Sequence, residues 1–333
     1  MKQLLLFISV AFVPFLVLGQ QKPQYSQYTI NNYLLNPAIA GIEKYADVKL
    51  GSRSQMSGIE GAPTTYYVSA HAPLGNTSRG GMKRSGKSMP SFGAGNNSGR
   101  ISEQFRPHHG IGILAVHDRY GAFARTEASL AYAYHIGLSR NVRLSGGVSA
   151  GLIQQKLRSY ELTFANKADA ANSDWNMVKP NLSVGLWLYS DNFYIGSSAA
   201  QLLANSINFD NSVEERSLLY EHYFLTGAYR FNVVDRVDLI PSMMVMWQQP
   251  LPGSVDFSLR AVYDNRVWIG GTYRQTSKFA VLAGVTISEV FDLGYAYDQG
   301  VPAINGMGSG NHEVVLGMRI FNKAGVLCPQ NLW

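Results

Sequence analysis

Cysteine is almost missing from this chain. Cys328 is the single one, so no disulfide can form within the chain. A lone thiol near a terminus is expected to be a small buried residue. Charge is sparse as well, at 15% of residues. The formal charge of +6 becomes +5 when Lys2 is taken away, and the basic residues are scattered. That pattern excludes a nucleic-acid binder. Beyond residue 19 no apolar run is long enough to cross a membrane as a helix. Catalytic signatures are absent too. The seven histidines show no HExxH spacing, and there is neither a G-x-S-x-G elbow nor a Walker-type loop. His117-Asp118 reads as a local turn pair, and the Met243, Met244 and Met246 cluster falls on both faces of one strand. The expectation is a protein with no catalytic residue, no cofactor and no metal.

What is present begins with an export signal. Lys2 supplies the positive start, Leu4 to Leu18 the apolar run, and Val17 and Gly19 the small residues before a cut near Gln20. No cysteine lies near that cut, which excludes a lipoprotein. Residues 1–19 are therefore expected to be a signal peptide. Residues 20–44 follow as an N-terminal periplasmic segment rich in Tyr, Asn and Gln, with Asn36-Pro37 as a turn signal.

From residue 45 a period of two takes over, one face apolar and the other polar or small. Val255, Phe257, Leu259, Ala261 and Tyr263 alternate with Ser254, Asp256, Ser258 and Arg260. Leu130, Tyr132, Tyr134 and Ile136 alternate with Ser129, Ala131, Ala133 and His135. Several runs reach the roughly 9–11 residues that a tilted strand needs to cross a bilayer. The count of such runs is about fourteen, even as single-chain outer-membrane barrels require. Their centres run from Val48, Val68, Ile113, Leu130 and Val148 through Val184, Ile195, Leu225, Val245 and Phe257 to Ile269, Val281, Leu293 and Leu316. The fold expected is all-β, a transmembrane antiparallel barrel over 45–321 with a polar lumen. Connections such as Ser139-Arg140, Ser190-Asp191, Asp264-Asn265 and Ser288-Glu289 are tight. Those on the other end, as from Ala200 to Leu219, are longer. Short periplasmic turns and long surface loops put both termini, including a tail at 322–333, in the periplasm.

One connection breaks that alternation. Residues 75–109 form a long Gly/Ser/Asn stretch with Arg79, Lys83, Arg84, Lys87, Arg100 and Arg106, on the side where a short turn belongs. Its composition suits a polar insertion more than a basic arm for a periplasmic partner.

The segment PQYSQYTINNYLLNPAIAG at Pro23–Gly41 resembles the start of the PorP/SprF family, outer-membrane proteins of the type IX secretion system in the Bacteroidetes. The resemblance continues in order along the chain. It covers Gly61-Ala62-Pro63-Thr64 with Ser69 to Leu74, then His117 to Gly121 with Ala131-Tyr132-Ala133-Tyr134. It ends with Phe193 to Ser198 and Gln201-Leu202-Leu203. Met56 stands where that family usually carries Trp.

The resemblance implies a non-enzymatic component of type IX secretion that assists large surface proteins, adhesins among them. Its partners would be other secretion subunits in the periplasm and outer membrane, client proteins through their C-terminal domains, and outer-membrane lipid. Gliding motility is a downstream role open to such a protein. Tyr25, Tyr28, Asn31, Tyr33, Asn36 and Pro37 are the candidate partner-binding residues, since Tyr and Asn give rigid contact area and adaptable hydrogen bonds. The same residues equally suit a segment that plugs the barrel. Two rival readings are a barrel transporter for a small solute and a soluble exported β-sandwich.

Overall fold

The computed structural model describes residues 27–75, 107–159, 175–203, 206–207, 217–218, 220–248, 253–275, 278–299 and 310–322. Residues 1–19, Tyr25, most of the 75–109 connection, Cys328 and the tail from 323 lie outside the described residues.

Fourteen antiparallel strands close into one barrel. They are β1 (Ala46–Ser54), β2 (Thr64–Leu74), β3 (His108–Tyr120), β4 (Phe123–Gly137) and β5 (Arg143–Leu157). Next come β6 (Trp175–Tyr189), β7 (Phe193–Ala200), β8 (His222–Tyr229), β9 (Val237–Trp247) and β10 (Ser254–Tyr263). The last four are β11 (Val267–Arg274), β12 (Lys278–Thr286), β13 (Phe291–Gln299) and β14 (Asn311–Ile320). A short piece, Phe231–Val234, prolongs β8 along β9 with an irregular register. A two-residue ribbon, Ser206–Ile207 with Ser217–Leu218, stands apart from the ring.

Closure comes from two pairings. Strand β1 meets β14 from Ala46↔Ile320 to Ser54↔His312, and β8 meets β9 from Tyr223↔Trp247 to Ala228↔Ser242. A closed ring leaves no unpaired edge, and only a closed ring of strands lets a β-sheet satisfy its backbone inside lipid. All fourteen expected centres fall within these strands.

The alternation sorts side chains as a membrane requires. Outward positions are apolar and exposed, as at Leu130 (67%), Leu186, Phe257, Ile269 and Val281. Inward positions are polar and buried, as at Asp47, Arg53, Glu127, Asp256 and Glu313. Outward aromatics gather near the two ends of the wall. Tyr66, Trp247 and Tyr273 lie toward one end, Tyr134, Tyr229, Tyr263 and Phe291 toward the other. That is the placement of interfacial girdles.

The barrel is taller on one side. Strands β4, β5 and β6 have 15 residues each, while β7, β8 and β11 have 8. Both ends of the strand ring, Ala46 and Ile320, open on the same rim as the turns 138–142, 190–192, 264–266 and 287–290. We call this the near rim. On the far rim two connections are shorter than expected, at 121–122 and 275–277. Gly121, at φ +56°, lets the first of these reverse direction within two residues.

The lumen is not a water-filled polar tube at mid-height. Trp187, Trp268, Ile240, Leu282 and Val315 all point inward and are buried, and they pack on the N-terminal segment. The sequence reading takes the inward face as Gly, Ser and mixed charge. The apolar exceptions are there because they have an apolar partner inside the barrel.

A charge at the lipid-facing middle of the wall tests the inside-outside assignment. Leu130→Arg is expected to cost about 2–4 kcal/mol when the barrel folds into bilayers, as for Arg near the midplane. Denaturant titration of the protein in lipid vesicles measures this. No loss of stability would place Leu130 away from lipid.

Candidate functional site

The sequence leaves open whether the 20–44 segment docks a partner in the periplasm or plugs the barrel. Its described part, residues 27–44, lies inside the barrel, and every residue of it up to Glu43 is buried, with Lys44 exposed. Three single turns of 3-10 helix, Tyr28–Ile30, Asn32–Leu34 and Pro37–Ile39, fold it compactly. The third turn has a full start signal. The Asn36 side-chain oxygen accepts from the Ala38 N–H at 2.9 Å, and Pro37 occupies the first position, where no donor is needed.

A buried segment this short cannot satisfy its own backbone and side chains, so the wall supplies partners. Gln27 Nε2 donates to the Glu313 carbonyl at 2.9 Å, and Tyr28 OH bonds Ser258 Oγ at 3.1 Å. Asn31 Nδ2 donates to Ser69 Oγ at 3.0 Å, and Asn32 Nδ2 to Tyr194 OH at 3.2 Å. Asn36 Nδ2 is shared between the carbonyls of Leu186 and Ser197, which are register partners on β6 and β7. In the other direction, Ser198 Oγ donates to the Leu35 carbonyl and Ser145 Oγ to the Ala38 carbonyl, both at 2.7 Å.

Three histidines close the end of the segment where it turns into β1. The Gly41 N–H donates to His71 Nδ1 at 3.3 Å. His108 Nε2 lies 3.0 Å from the Gly41 carbonyl and His135 Nε2 2.8 Å from the Ala40 carbonyl, so both nitrogens carry the proton. His135 Nδ1 is then left to accept from Tyr189 OH at 3.0 Å. The His108 and His135 rings stack at 4.4 Å. The three residues come from consecutive strands β2, β3 and β4 and converge on two residues of the segment.

Close approach depends on missing side chains. A Cβ on Gly147 would lie 2.5 Å from the Ala38 backbone, and one on Gly110 would lie 1.9 Å from the Ala40 oxygen. Gly41 has φ +74° and faces Gly110, so two glycines let the chains touch where the segment bends. Apolar contact adds to this. Ile30, Leu34, Ile39 and Ile42 share one buried cluster with Trp187 and Trp268. Trp187 itself stacks on Tyr194 at 4.5 Å.

Charge pairs flank this layer. Arg53 bridges Asp298 at 2.5 Å and Glu313 at 2.8 Å, and Arg274 grips both oxygens of Asp256. Arg125 pairs with Glu127 at 3.0 Å. These lie toward the far rim. Toward the near rim Lys49 pairs with Asp47 at 2.8 Å and Arg319 with Asp292 at 3.2 Å.

Of the six candidate residues, Tyr25 lies outside the described residues. Tyr28, Asn31, Tyr33 and Asn36 are each under 5% exposed, and Pro37 is buried with them. All five face the barrel wall, and a partner could meet them only with the segment withdrawn. Burial pushes the Tyr28 and Tyr33 phenols above their ordinary range, so both stay neutral hydroxyls. The wall residues that hold the segment were not singled out as a site, although Ser69, His71, Tyr194 and Ser198 stand inside the quoted motifs. His135 was placed on the inward face by its alternation, which is the signal that could have found it. His117 and Asp118 point to opposite faces, bonding Thr126 and Thr65 respectively, so they form no joint site. A cavity of about 20 Å³ lies beside Tyr33 to Pro37, against Leu114 and Glu127. It has room for about one water.

These features define a class: an outer-membrane β-barrel whose lumen is filled by its own N-terminal segment. A model of the type IX secretion system membrane protein PorP/SprF family matches residues 17–318, and the chain belongs to that family. No curated protein sequence matches it. Among solved structures it is similar to the toluene transporter TbuX of Ralstonia pickettii. The TM-score is 0.50 and the identity 10%, over 86% of this chain and 93% of that one. It is also similar to the toluene transporter TodX of P. putida, with TM-score 0.48 and 11% identity over 87% and 94% of the two chains. Omp33 of Acinetobacter baumannii follows at 0.45 and 6%, over 84% and 100%. At such identities the likeness is one of fold.

Gly147→Val tests the seating of the segment. The added methyls meet the Ala38 backbone, so the variant should lose about 1–3 kcal/mol, the usual cost of overpacking. The barrel should still form, while residues 27–42 become open to protease and the pore conducts in planar bilayers. A closed, protease-resistant variant would show that the close contact does not hold the segment.

Proposed function

We propose that this protein is a non-enzymatic adaptor of type IX secretion, held in the outer membrane with its near rim and both termini in the periplasm. It helps particular large surface proteins reach the cell surface. It recognises them through their C-terminal domains and contacts periplasmic subunits of the machine with its near rim. The observation that carries this reading is the filled lumen. A barrel closed by its own buried segment is no conduit for a large protein, so its contribution must come from its rims and its outer wall. Tyr28, Asn31, Tyr33, Asn36 and Pro37 then serve to hold the barrel shut. Contact with a partner through them would require the segment to leave the lumen.

The likeness to toluene transporters does not favour uptake of a small solute. Small-molecule sites enclose about 300–1,000 Å³, whereas the space beside the segment is about 20 Å³. The carboxylate that lines it, Glu127, is already bonded to Arg125 and Asn181.

Deleting the gene, with a complemented strain beside it, tests the proposal. Surface and culture-medium proteins are compared by mass spectrometry. One or a few large proteins should leave the surface and accumulate in the periplasm, which names the client. An unchanged surface profile with impaired growth on a solute would favour the transporter instead.

A further inference from the structure

Where β8 leaves β7 at the near rim, the chain goes on as a strand with one bare side. Tyr229↔Phe193 is the last register pair between the two, and the Arg230 N–H donates to the Asn192 carbonyl at 2.7 Å. Beyond that bond β7 has given way to its turn. Phe231–Val234 runs on along β9, from Phe231↔Leu239 to Val234↔Val237. Strand β9 pairs in turn with β10 as far as Val237↔Tyr263, so this flap continues the sheet of the wall. Among the described residues its only sheet neighbour is β9. The opposite edge presents backbone N–H and C=O groups with no strand beside them.

The flap is braced on the β9 side. Asn232 Nδ2 donates to Asp238 Oδ1, and Arg230 Nε lies 3.8 Å from Asp238 Oδ2. Arg236, at φ +68°, closes its turn, and the Arg236 carbonyl accepts from the Asp264 N–H at 2.8 Å. The strand is thus formed before anything docks on it. Every residue from Phe231 to Arg236 is exposed, with Phe231 at 52%, Val233 at 56% and Val234 at 66%. Proline and lysine, which commonly blunt an edge, are both missing from Phe-Asn-Val-Val. A register shift at Val233 leaves that residue without a register partner on β9.

Geometry decides what can cover this edge. Lipid has no hydrogen-bond partners to offer in its apolar layer. A second copy fails on symmetry. Two like-oriented copies in one membrane are related by an axis along the membrane normal. Equal edges pair antiparallel only about an axis perpendicular to their sheet, and the wall sheet stands upright in the membrane. An extended segment of a different chain meets neither obstacle.

We propose that the bare edge of Phe231–Val234 docks an extended segment of a periplasmic partner, which adds to the flap as one more strand. Main-chain hydrogen bonds hold it, and its alternate side chains are apolar to pack on the exposed Phe231, Val233 and Val234. The proposal deepens the adaptor reading and rests on its placement of the near rim in the periplasm.

Phe231 is replaced by p-benzoylphenylalanine in the full chain, expressed in its own host, and the photo-adducts are mapped by mass spectrometry. One periplasmic protein should be captured, with its crosslinked residues confined to a single short segment. Val233→Pro removes a backbone donor without touching a β9 register pair. It should lower capture by about tenfold, the scale of one or two lost backbone hydrogen bonds. Val233→Ala alters only the side chain and should leave capture nearly unchanged. Val233→Lys, which places a charge on the edge, should lower it and serves where the proline variant does not fold. Heat-dependent gel migration shows which variants are folded. Equal capture by folded Val233→Pro and Val233→Lys would overturn the inference. So would adducts with a second copy of this chain, or no adduct beyond that obtained from the lipid-facing Leu130 position. Arg140→Cys, on the exposed 138–142 turn, separates the two failures, with the wild type as the blank. Its labelling by a membrane-impermeant thiol reagent on intact cells would put the near rim outside and overturn the orientation itself. Protection without an adduct at 231 overturns the edge site alone and leaves the adaptor reading to its own test.

Discussion

The structure depends on one constraint: the N-terminal segment has no fold of its own and is buried inside the barrel. Sixteen residues or so in 3-10 turns leave most backbone and side-chain polar groups without local partners, and burial without partners is costly. The wall therefore answers many of them at fixed places, while Gln27 Oε1, Thr29 Oγ1 and Asn32 Oδ1 stay buried without a hydrogen-bond partner. Ser69, Ser145, Ser198, Tyr194, His71, His108 and His135 supply partners from seven positions on five strands. This explains why inward positions are Ser, His and Gly in one layer and Trp, Ile and Leu beside it. The polar ones match donors and acceptors of the segment, and the apolar ones match Ile30, Leu34 and Ile39.

The charged residues follow from the same filling. With the middle of the lumen packed, ionic groups above and below it lose much of their water. A buried charge is tolerated only when paired. Arg53 between Asp298 and Glu313, and Arg274 on Asp256, are the geometries that meet this condition. Removing one member would leave its partner buried and alone, at a cost of roughly 3–5 kcal/mol. These pairs therefore act as fixed girders across neighbouring and distant strands. They do not line a selectivity filter, because their charges are already used on one another.

The strand count, centres and inside-outside pattern were legible because a membrane barrel imposes period two on every strand without exception. Leu130 and Phe257 announce lipid, Glu127 and Asp256 announce the interior, and each does so locally. The seating of the segment was not legible in the same way. Asn36 meets Leu186 and Ser197, some 150 residues away, and no period in the sequence encodes that contact. Nor does composition separate a Tyr- and Asn-rich segment that docks a partner from one that docks its own barrel. The motif segments did contain the answer in scattered form. Asn36 to Gly41, Ser69 with His71, and Tyr194 with Ser198 lie far apart in the chain and meet in one layer. The turn at 121–122 follows directly on the His117 to Gly121 motif, and Gly121 with its φ of +56° supplies the reversal between β3 and β4.

A plug held this way differs from a loosely inserted one, because its attachment is distributed. Hydrogen bonds run to β2 through β7, β10 and β14, and the glycine contacts at Gly110 and Gly147 leave no slack between backbones. Withdrawing it would unpair donors on both the segment and the wall at once, and would leave Trp187 and Trp268 facing water. Partial withdrawal recovers little hydration for the bonds it breaks, so the segment should be either seated or released. The hinge for that step is Gly41, where three imidazoles grip two residues and the chain continues directly into β1. A pull on the segment from the near rim is thus delivered first to β1 and its seam with β14, through Ala46↔Ile320. The closing seam of the barrel and the anchor of its plug are the same place in the fold.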